Sequence, residues 1–275
     1  MKIYPNFQTA IQKARQTLID VGQWVHGDQW QSVDVTNKPE MAMREMLNFS
    51  FQVPVMTEEL SALRKQISPN LPWADNHFLE RIGGNPLNPG TEWAKWPWGN
   101  SANTFRDEHG RFSHTYMERI WPRWAGRTED GIIDYTQKMP SEHRGIRYRY
   151  GDLNDVIRHL AAHPLSRQAF LPIWFPEDTG TCHGERVPCT LGYQFVMREN
   201  YLHTVYYIRS CDVVRHFQDD IYLAVRLMLH LLDALRAVDR IWKQVSPGFF
   251  TMHITSLHCF KNDFNQHVRN GKWES

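Results

Sequence analysis

Apolar residues recur with helical spacing in three stretches of the chain. Residues 6–22 predict the first helix, because apolar positions return every three or four residues. These positions are Ile11, Ala14, Leu18 and Val21. "DLNDVIRHLAAH" (152–163) predicts a helix that begins with a capping aspartate and is ended by Pro164. Residues 217–242 are largely apolar, which predicts one long helix buried through the middle of a domain.

Shorter patterns predict a further helix and a sheet. "PEMAMREMLNFSFQ" (39–52) predicts a helix with Pro39 in its first turn. "RQAFLPIWF" (167–175) predicts a strand. The β-rich runs "TLGYQFVM" and "YLHTVYYIRS", joined by residues 198–200, predict a hairpin. "GFFTMHITSLHCF" (248–260) predicts a final pair of strands.

The order of these elements predicts an α+β fold. A mostly antiparallel sheet is expected to pack around the long helix, within a single domain that spans residues 1–275. Residues 68–100 are rich in Pro, Gly and Asn and predict a long irregular loop. Loops of that length inside a compact chain are usually functional.

Composition narrows the function classes. The chain has 31 Lys and Arg against 30 Asp and Glu, a net charge of +1, so no basic field favours nucleic acid as a partner. The N-terminus has no apolar signal core, and Arg226 and His230 interrupt the longest apolar stretches well short of a membrane span. We therefore expect a cytoplasmic protein without a membrane partner, in the host cytoplasm if the source is a virus.

The cysteines indicate reduced thiols rather than disulfides or zinc ligands. Cys182, Cys189, Cys211 and Cys259 form no C-x-x-C pair, and "CHGERVPC" does not have a standard zinc spacing, so no metal is expected. Cys189 follows a proline and precedes a β-rich run. On its own it has two readings, a small buried core residue or a nucleophile.

Four motifs resemble one family when taken in order. "VPC…QF", "RSCD", the long apolar helix and "PGFF…SLHCF" resemble the thymidylate synthases and their nucleotide-hydroxymethylating relatives. The resemblance is specific over residues 152–260 and weaker over 39–124. It implies a thymidylate-synthase-like fold, a homodimer formed through the sheet, a nucleotide monophosphate substrate and 5,10-methylenetetrahydrofolate as the one-carbon donor.

The resemblance also implies a covalent mechanism. Cys189 matches the family nucleophile, whose thiolate adds to carbon 6 of a pyrimidine so that carbon 5 can attack a one-carbon unit. Arg209 matches the arginine that contacts both the phosphate and the cysteine, and a nearby cation favours a thiolate. Ser210 keeps the deoxynucleotide pattern. His258 matches the histidine that binds the 3′-hydroxyl, and Asp212 matches the aspartate that contacts the folate pterin.

The phosphate site is expected to differ from the family pattern. "HPLSRQAF" resembles a stretch with two arginines that reach the partner's phosphate, but here Arg167 is followed by Gln168. The N-terminal phosphate arginine has no clear counterpart, which leaves Lys38 and His26 as candidates to replace it. Without the other motifs, Arg167 reads as a solvated surface charge.

Two further catalytic residues are implied. "MREMLNFSF" resembles a family helix whose glutamate handles proton transfers, which implies that role for Glu45 on an inward-facing helix position. The other reading is a solvated glutamate, because this residue is seldom buried without a partner. Tyr116, in "SHTYMERIW", matches the tyrosine near the nucleophile.

Asp220 distinguishes this chain from a thymidylate synthase. It stands eight residues after Asp212, where the family pattern has asparagine for uracil. A carboxyl group pairs better with the amino group and ring nitrogen of cytosine, which implies a cytosine nucleotide. The other reading is helix capping, because aspartate favours the start of a helix and Asp219 stands beside it.

The one-carbon site departs from the family pattern as well. "PGTEWA" resembles a segment with two tryptophans beside the folate, of which Trp93 remains while Gly90 replaces the other. A gap at Gly90 is expected to admit water, which would quench the exocyclic methylene as a hydroxymethyl group. The other reading is that Gly90 simply forms a turn.

Together these features predict a dCMP 5-hydroxymethyltransferase. The closest alternatives are a dCMP methyltransferase, or a CMP or dUMP hydroxymethylase, on the same scaffold. A non-catalytic nucleotide- or RNA-binding relative is the alternative from another class, and the joint presence of Cys189, Glu45 and Asp220 argues against it.

Overall fold

A mixed sheet of seven strands runs through the protein. The computed structural model describes residues 1–31, 33–98, 103, 105–122, 151–179 and 186–269. The strands are Lys2–Ile3 (β1), Gln23–Val25 (β2), Gln29–Trp30 (β3), Val33–Asp34 (β4), Met43–Pro54 (β5), Phe170–Pro172 (β6), Thr190–Arg198 (β7), Tyr201–Asp212 (β8) and Ser246–Phe260 (β9). The sheet has the order β1-β5-β9-β8-β7-β6 with β2 also on β5, while β3 and β4 form a separate ribbon.

The expectation of a mostly antiparallel sheet is corrected to a mixed one. β8 pairs with β9 in parallel, and so does β1 with β5, whereas the other pairs are antiparallel. The chain leaves β8, passes through a long helix and returns as β9. Parallel neighbours need such a crossover connection.

The described part of the chain contains seven α-helices. They are Phe7–Val21 (α1), Leu60–Ile67 (α2), Trp73–Ile82 (α3), Tyr116–Ile120 (α4), Leu153–Ala162 (α5), Phe217–Val238 (α6) and Lys261–Arg269 (α7). The three periodic stretches are confirmed as α1, α5 and α6. Asp152 and Asp155 form a capping box at the start of α5. None of the described helices is both long enough and apolar enough to cross a membrane.

Helix α6 is the crossover between β8 and β9, and it is buried along its length. Its apolar side chains, from Ile221 to Leu235, belong to the main hydrophobic core. Burying each such leucine or isoleucine stabilises the fold by roughly 1.5–3 kcal/mol. The first turn of α6 carries Asp219 and Asp220, which lie beside the end of β8.

Three sequence-based element predictions were wrong. Residues 43–54 form β5 rather than a helix, because all of them except Asn48 pair with β9 and alternate residues from Phe49 onward are buried. Residues 248–260 belong to one continuous strand, β9, rather than a pair. The supposed loop 68–100 contains helix α3.

The predicted hairpin is confirmed as β7 and β8. Glu199 and Asn200 both have positive φ, at 51° and 62°, as a two-residue type I′ turn requires. At the other end of the hairpin, the backbone N–H of Arg209 donates to the carbonyl of Cys189 over 2.9 Å. The hairpin thereby brings the Pro-Cys and Arg-Ser motifs side by side.

Candidate active site

One open cavity gathers most of the residues singled out in the sequence. It has a volume of about 1000 Å³, counting the part open to solvent, and lies at the ends of β8 and β9 and the start of α6. Its wall includes Trp93, Tyr116, Cys189, Ser210, Asp212, Asp220 and His258. It does not include Glu45, Gly90, Arg167 or Arg209.

Arg209 holds the segment that precedes Cys189. Its Nε donates to the carbonyl of Pro188 over 2.9 Å, and its Nη2 donates to the carbonyl of Val187 over 3.1 Å. Cys189 itself is half-buried and faces the cavity as a free thiol. The guanidinium therefore positions the cysteine segment through its backbone.

A chain of three hydroxyl groups lies beside Cys189. The hydroxyl of Tyr116 is 3.0 Å from that of Thr190, which is 2.8 Å from that of Tyr206. Burial raises the pKa of Tyr116, and the nearby Cys189 and Asp220 raise it further. The phenol therefore stays protonated near neutral pH and remains able to donate a hydrogen bond to a ligand.

Asp220 lines the cavity with a carboxyl group whose pKa is raised. Burial raises the pKa of Asp220 to about 7, although the charge of Arg81 opposes this. Its Oδ2 accepts a hydrogen bond from Cys211 Sγ over 3.5 Å. Asp219 is engaged elsewhere, because it accepts bonds from the backbone N–H and side-chain amide of Asn70. The side-chain hydrogen bonds of Asp219 and Asp220 therefore do not cap the helix, whose N-cap residue is His216.

Asp212 and His258 are cross-strand neighbours in the wall of the cavity. Asp212 Oδ1 accepts hydrogen bonds from the backbone N–H groups of Val214 and Arg215. Burial raises the pKa of Asp212 and lowers the pKa of His258, so the imidazole is neutral. Within the described chain, Asp212 Oδ2 and His258 Nδ1 have no hydrogen-bond partner, although Arg215 Nε lies 3.7 Å from Asp212 Oδ2. Such buried polar atoms are usually served by water or by a ligand.

Aromatic rings form another wall of the cavity. Trp93 stacks on Trp96 with ring centroids 5.0 Å apart, and Trp96 stacks on His216 at 4.5 Å. Burial lowers the pKa of His216 to about 3, so this ring is also neutral. An aromatic wall of this kind suits a planar ligand ring.

The expected gap at Gly90 is absent. Gly90 has φ of +79°, and a Cβ there would lie 2.5 Å from Met117 Cε and 3.0 Å from the Glu80 carboxyl group. The space beside it is filled by these two side chains, which come from α4 and α3. The turn interpretation of Gly90 therefore replaces the water-entry interpretation.

The expected position of Glu45 on a helix is also corrected. It lies on β5, opposite His258, and accepts a short hydrogen bond from Ser256 Oγ instead of turning inward from a helix. Because it is not part of the cavity wall, the structure gives no support to its proton-transfer role.

The expected phosphate cations do not meet at the cavity within one chain. Arg167 is exposed ahead of β6, and its carbonyl accepts from the side-chain amide of Gln194. His26 and Lys38 are exposed too, with His26 Nε2 3.1 Å from the carbonyl of Lys38.

Sequence analysis missed two arginines of the cavity wall. Arg81 lies on α3, and Arg186 precedes Cys189 by three positions. Arg81 could have been found from the pattern of Trp73, His77 and Arg81, which repeats every four residues as on one helix face. No carboxylate lies within ion-pairing distance of either arginine in the part of the chain that the structure describes.

The cysteines in the described part of the chain form no disulfide. Cys189, Cys211 and Cys259 are free, whereas Cys182 and His183 lie outside the described residues. Among the described residues, no group of three His, Cys, Asp or Glu side chains is arranged to hold a metal ion.

Comparison with known proteins identifies the family. The family model described as thymidylate synthase matches residues 92–270, which is more than half of the chain. The chain belongs to the thymidylate synthase family. A Methanosarcina barkeri (strain Fusaro) protein, provisionally named a thymidylate synthase, is 23% identical over 181 residues, covering 61% of this chain and 78% of that protein. Membership of the thymidylate synthase family implies folate-dependent one-carbon transfer to a pyrimidine.

Proposed function

We propose that the protein is a deoxycytidylate 5-hydroxymethyltransferase. It would convert dCMP, 5,10-methylenetetrahydrofolate and water into 5-hydroxymethyl-dCMP and tetrahydrofolate. The observation that carries this proposal is the carboxyl group of Asp220 in the cavity wall, with a pKa of about 7.

Asp220 supports cytosine because the carboxyl group and the base can share one proton. The amino group of cytosine donates to one carboxyl oxygen, and the proton between the other oxygen and ring nitrogen 3 forms a second bond from either side. Uracil presents a carbonyl oxygen where cytosine has the amino group. Once Asp220 ionises, two acceptors face each other, and a mispaired buried group costs about 1–3 kcal/mol.

Cys189 acts as the nucleophile in this proposal. Its thiolate forms a bond to carbon 6, and the electron pair of the 5,6 double bond moves to carbon 5, which then attacks the one-carbon unit. Asp220 holds the proton at nitrogen 3. The protonated hydroxyl of Tyr116, linked to Thr190, orients the reacting edge of the ring.

The cavity wall has the groups needed for the donor. A pterin is a flat ring with N–H donors, which suits the aromatic wall that includes Trp93 and Asp212 Oδ2, an acceptor that has no hydrogen bond in the described chain. When bound, 5,10-methylenetetrahydrofolate supplies the electrophilic one-carbon unit.

Hydroxymethylation requires water near carbon 5. Gly90 no longer supports this step, but His258 Nδ1 has no hydrogen-bond partner in the described chain and gives water a polar attachment point in the same cavity. Loss of the carbon 5 proton and cleavage of the bond from the one-carbon unit to the folate nitrogen release tetrahydrofolate and leave an exocyclic methylene on the pyrimidine. Water adds to this methylene and gives up a proton to solvent, and the electron pair returns to the ring. The Cys189–carbon 6 bond then breaks, which restores the 5,6 double bond and the thiolate. Hydride transfer in place of water addition would make the protein a dCMP methyltransferase.

The proposal includes a symmetric homodimer. Arg167 lies outside its own chain's cavity and is exposed, as expected for a side chain that serves the phosphate of a partner. In the described part of the chain, no other exposed arginine is matched to the family's cross-dimer phosphate contact. Shared sites of this kind require a two-fold interface.

Competition between nucleotides tests the base assignment. The purified protein is incubated with equal dCMP, dUMP and CMP plus methylenetetrahydrofolate, and the modified nucleotides are separated by mass. We expect product from dCMP first. Preferential conversion of dUMP would reject the cytosine assignment, and absence of any product or of any covalent adduct with 5-fluoro-dCMP would favour a binding protein.

A further inference from the structure

Three polar side chains on α3 form a buried hydrogen-bonded chain that ends at the cavity. Glu80 Oε1 accepts from the backbone N–H of Glu92 over 3.2 Å, and Glu80 Oε2 lies 3.2 Å from His77 Nδ1. His77 Nε2 is 3.0 Å from Arg81 Nε. Residues three and four apart lie on one helix face, which is why these side chains meet.

The direction of these bonds is fixed by chemistry. An arginine Nε–H can only donate, so His77 Nε2 accepts and the histidine proton resides on Nδ1, pointing at Glu80. Burial, together with the Arg81 charge, lowers the pKa of His77 to about 4, so the ring stays neutral. The ring also stacks on Trp73 at 4.9 Å, which prevents it from turning.

Arg81 therefore enters the cavity in one orientation. Its guanidinium lies over the ring of Tyr116, 4.2 Å from the centroid, and its charge acts on the carboxyl group of Asp220. The residue is only 7% exposed. In the described chain no carboxylate pairs with it, and a buried cation without an anionic partner is costly.

A reacting pyrimidine would supply the missing partner. When the Cys189 thiolate adds to carbon 6, negative charge spreads from carbon 5 to ring nitrogen 3 and the carbonyl oxygen. Fixed donors aimed at such developing charge are among the largest contributors to catalysis. The guanidinium keeps its own proton and contributes only hydrogen bonds and charge.

We propose that Arg81, held by His77 and Glu80, binds the carbonyl oxygen of the pyrimidine ring and stabilises the negative charge formed when Cys189 adds. This rests on the proposed function. Arg81 is the catalytic residue in this proposal, whereas His77 and Glu80 are positioning residues that act through it.

Chemical rescue of Arg81→Ala tests the proposal. The rate of covalent adduct formation with saturating 5-fluoro-dCMP and methylenetetrahydrofolate is measured by intact mass, alongside nucleotide binding without folate. Loss of one such donor typically slows the chemical step by about 10²–10³-fold. Added methylguanidinium should restore much of the rate, and urea, a neutral molecule of similar shape, should not.

Two further variants separate positioning from folding. His77→Phe keeps a ring on Trp73 but removes the acceptor for Arg81 Nε. We expect a slower adduct at saturating nucleotide in a protein that still folds, with a lowered Tm because the buried donor has lost its partner. Arg226→Ala is the matched control, because Arg226 also stacks on α3, over Phe78 at 4.2 Å, but pairs with Asp75 outside the cavity. It should keep the wild-type adduct rate.

Each outcome decides the proposal. Folded Arg81→Ala with a wild-type adduct rate overturns it, and so does rescue by urea as well as by methylguanidinium. If Arg81→Ala does not fold, a wild-type adduct rate in His77→Phe overturns the proposal that His77 positions Arg81 for the reaction. Wild-type adduct with 5-fluoro-dUMP alone rejects cytosine, and the same rate and rescue criteria measured with 5-fluoro-dUMP then decide the role of Arg81. No wild-type adduct with either nucleotide contradicts both proposals.

Discussion

The Oδ2 of Asp220 accepts a hydrogen bond from Cys211 Sγ over 3.5 Å. This contact holds the carboxyl group against the wall of the cavity, and burial raises its pKa to about 7. A carboxyl group that is part protonated near neutral pH can both accept and donate.

Asp220→Asn should change the preferred base. The amide cannot share a proton with cytosine nitrogen 3, but its carbonyl and NH₂ groups match uracil. We expect kcat/KM to fall for dCMP and rise for dUMP, so that their ratio moves by at least about ten-fold. An unchanged ratio in steady-state assays of both nucleotides would reject Asp220 as the base-reading residue.

The same substitution should alter the pH dependence of stability. The pKa of Asp220 is raised above its ordinary value of 3.8, so its contribution to stability is complete below that value and is lost as the pH rises through about 7. Asparagine has no such proton to lose. Tm measured across this range should therefore decline less in Asp220→Asn than in wild type. Parallel curves would show that Asp220 ionises normally.

Cys189→Ser should abolish turnover but retain nucleotide binding. A serine hydroxyl does not supply a useful anion near neutral pH, whereas its size suits the same place in the cavity. Calorimetric titration with dCMP and a product assay measure the two properties separately. Activity above about a few per cent of wild type would remove Cys189 from the nucleophile role.

Complementation should reveal a shared active site. Cys189→Ala and Arg167→Ala chains are each expected to be inactive, but hybrid dimers contain one site with both native residues. Mixing the variants under conditions that allow subunit exchange should restore part of the activity. A fully active monomer in sedimentation experiments would contradict the dimer proposal.

Local sequence patterns were sufficient to predict an element when the residues of that element alone determine its structure. Asn6 accepts from the backbone N–H of Thr9 at the start of α1, and Glu199 and Asn200 form the turn between β7 and β8. Cys189 and Asp220 were found because both lie at fixed positions within motifs, and both line the cavity.

Predictions failed where distant elements decide the environment. Residues 43–54 suit a helix by composition, but pairing with β9 makes them a strand and takes Glu45 to Ser256. The sequence around Gly90 suggested a gap, because the side chains that fill the space, Met117 and Glu80, come from two helices elsewhere in the chain. Arg81 was missed because the Pro and Gly content around α3 suggested a loop, although Trp73 and His77 share its helix face.

The most direct test of the account is the product formed from dCMP and 5,10-methylenetetrahydrofolate by the unmutated protein. Water addition regenerates tetrahydrofolate, so the account predicts 5-hydroxymethyl-dCMP by mass spectrometry with no rise in dihydrofolate absorbance. Dihydrofolate formed one for one with 5-methyl-dCMP would contradict hydroxymethylation and identify a methyltransferase, and conversion of dUMP in place of dCMP would contradict the role of Asp220.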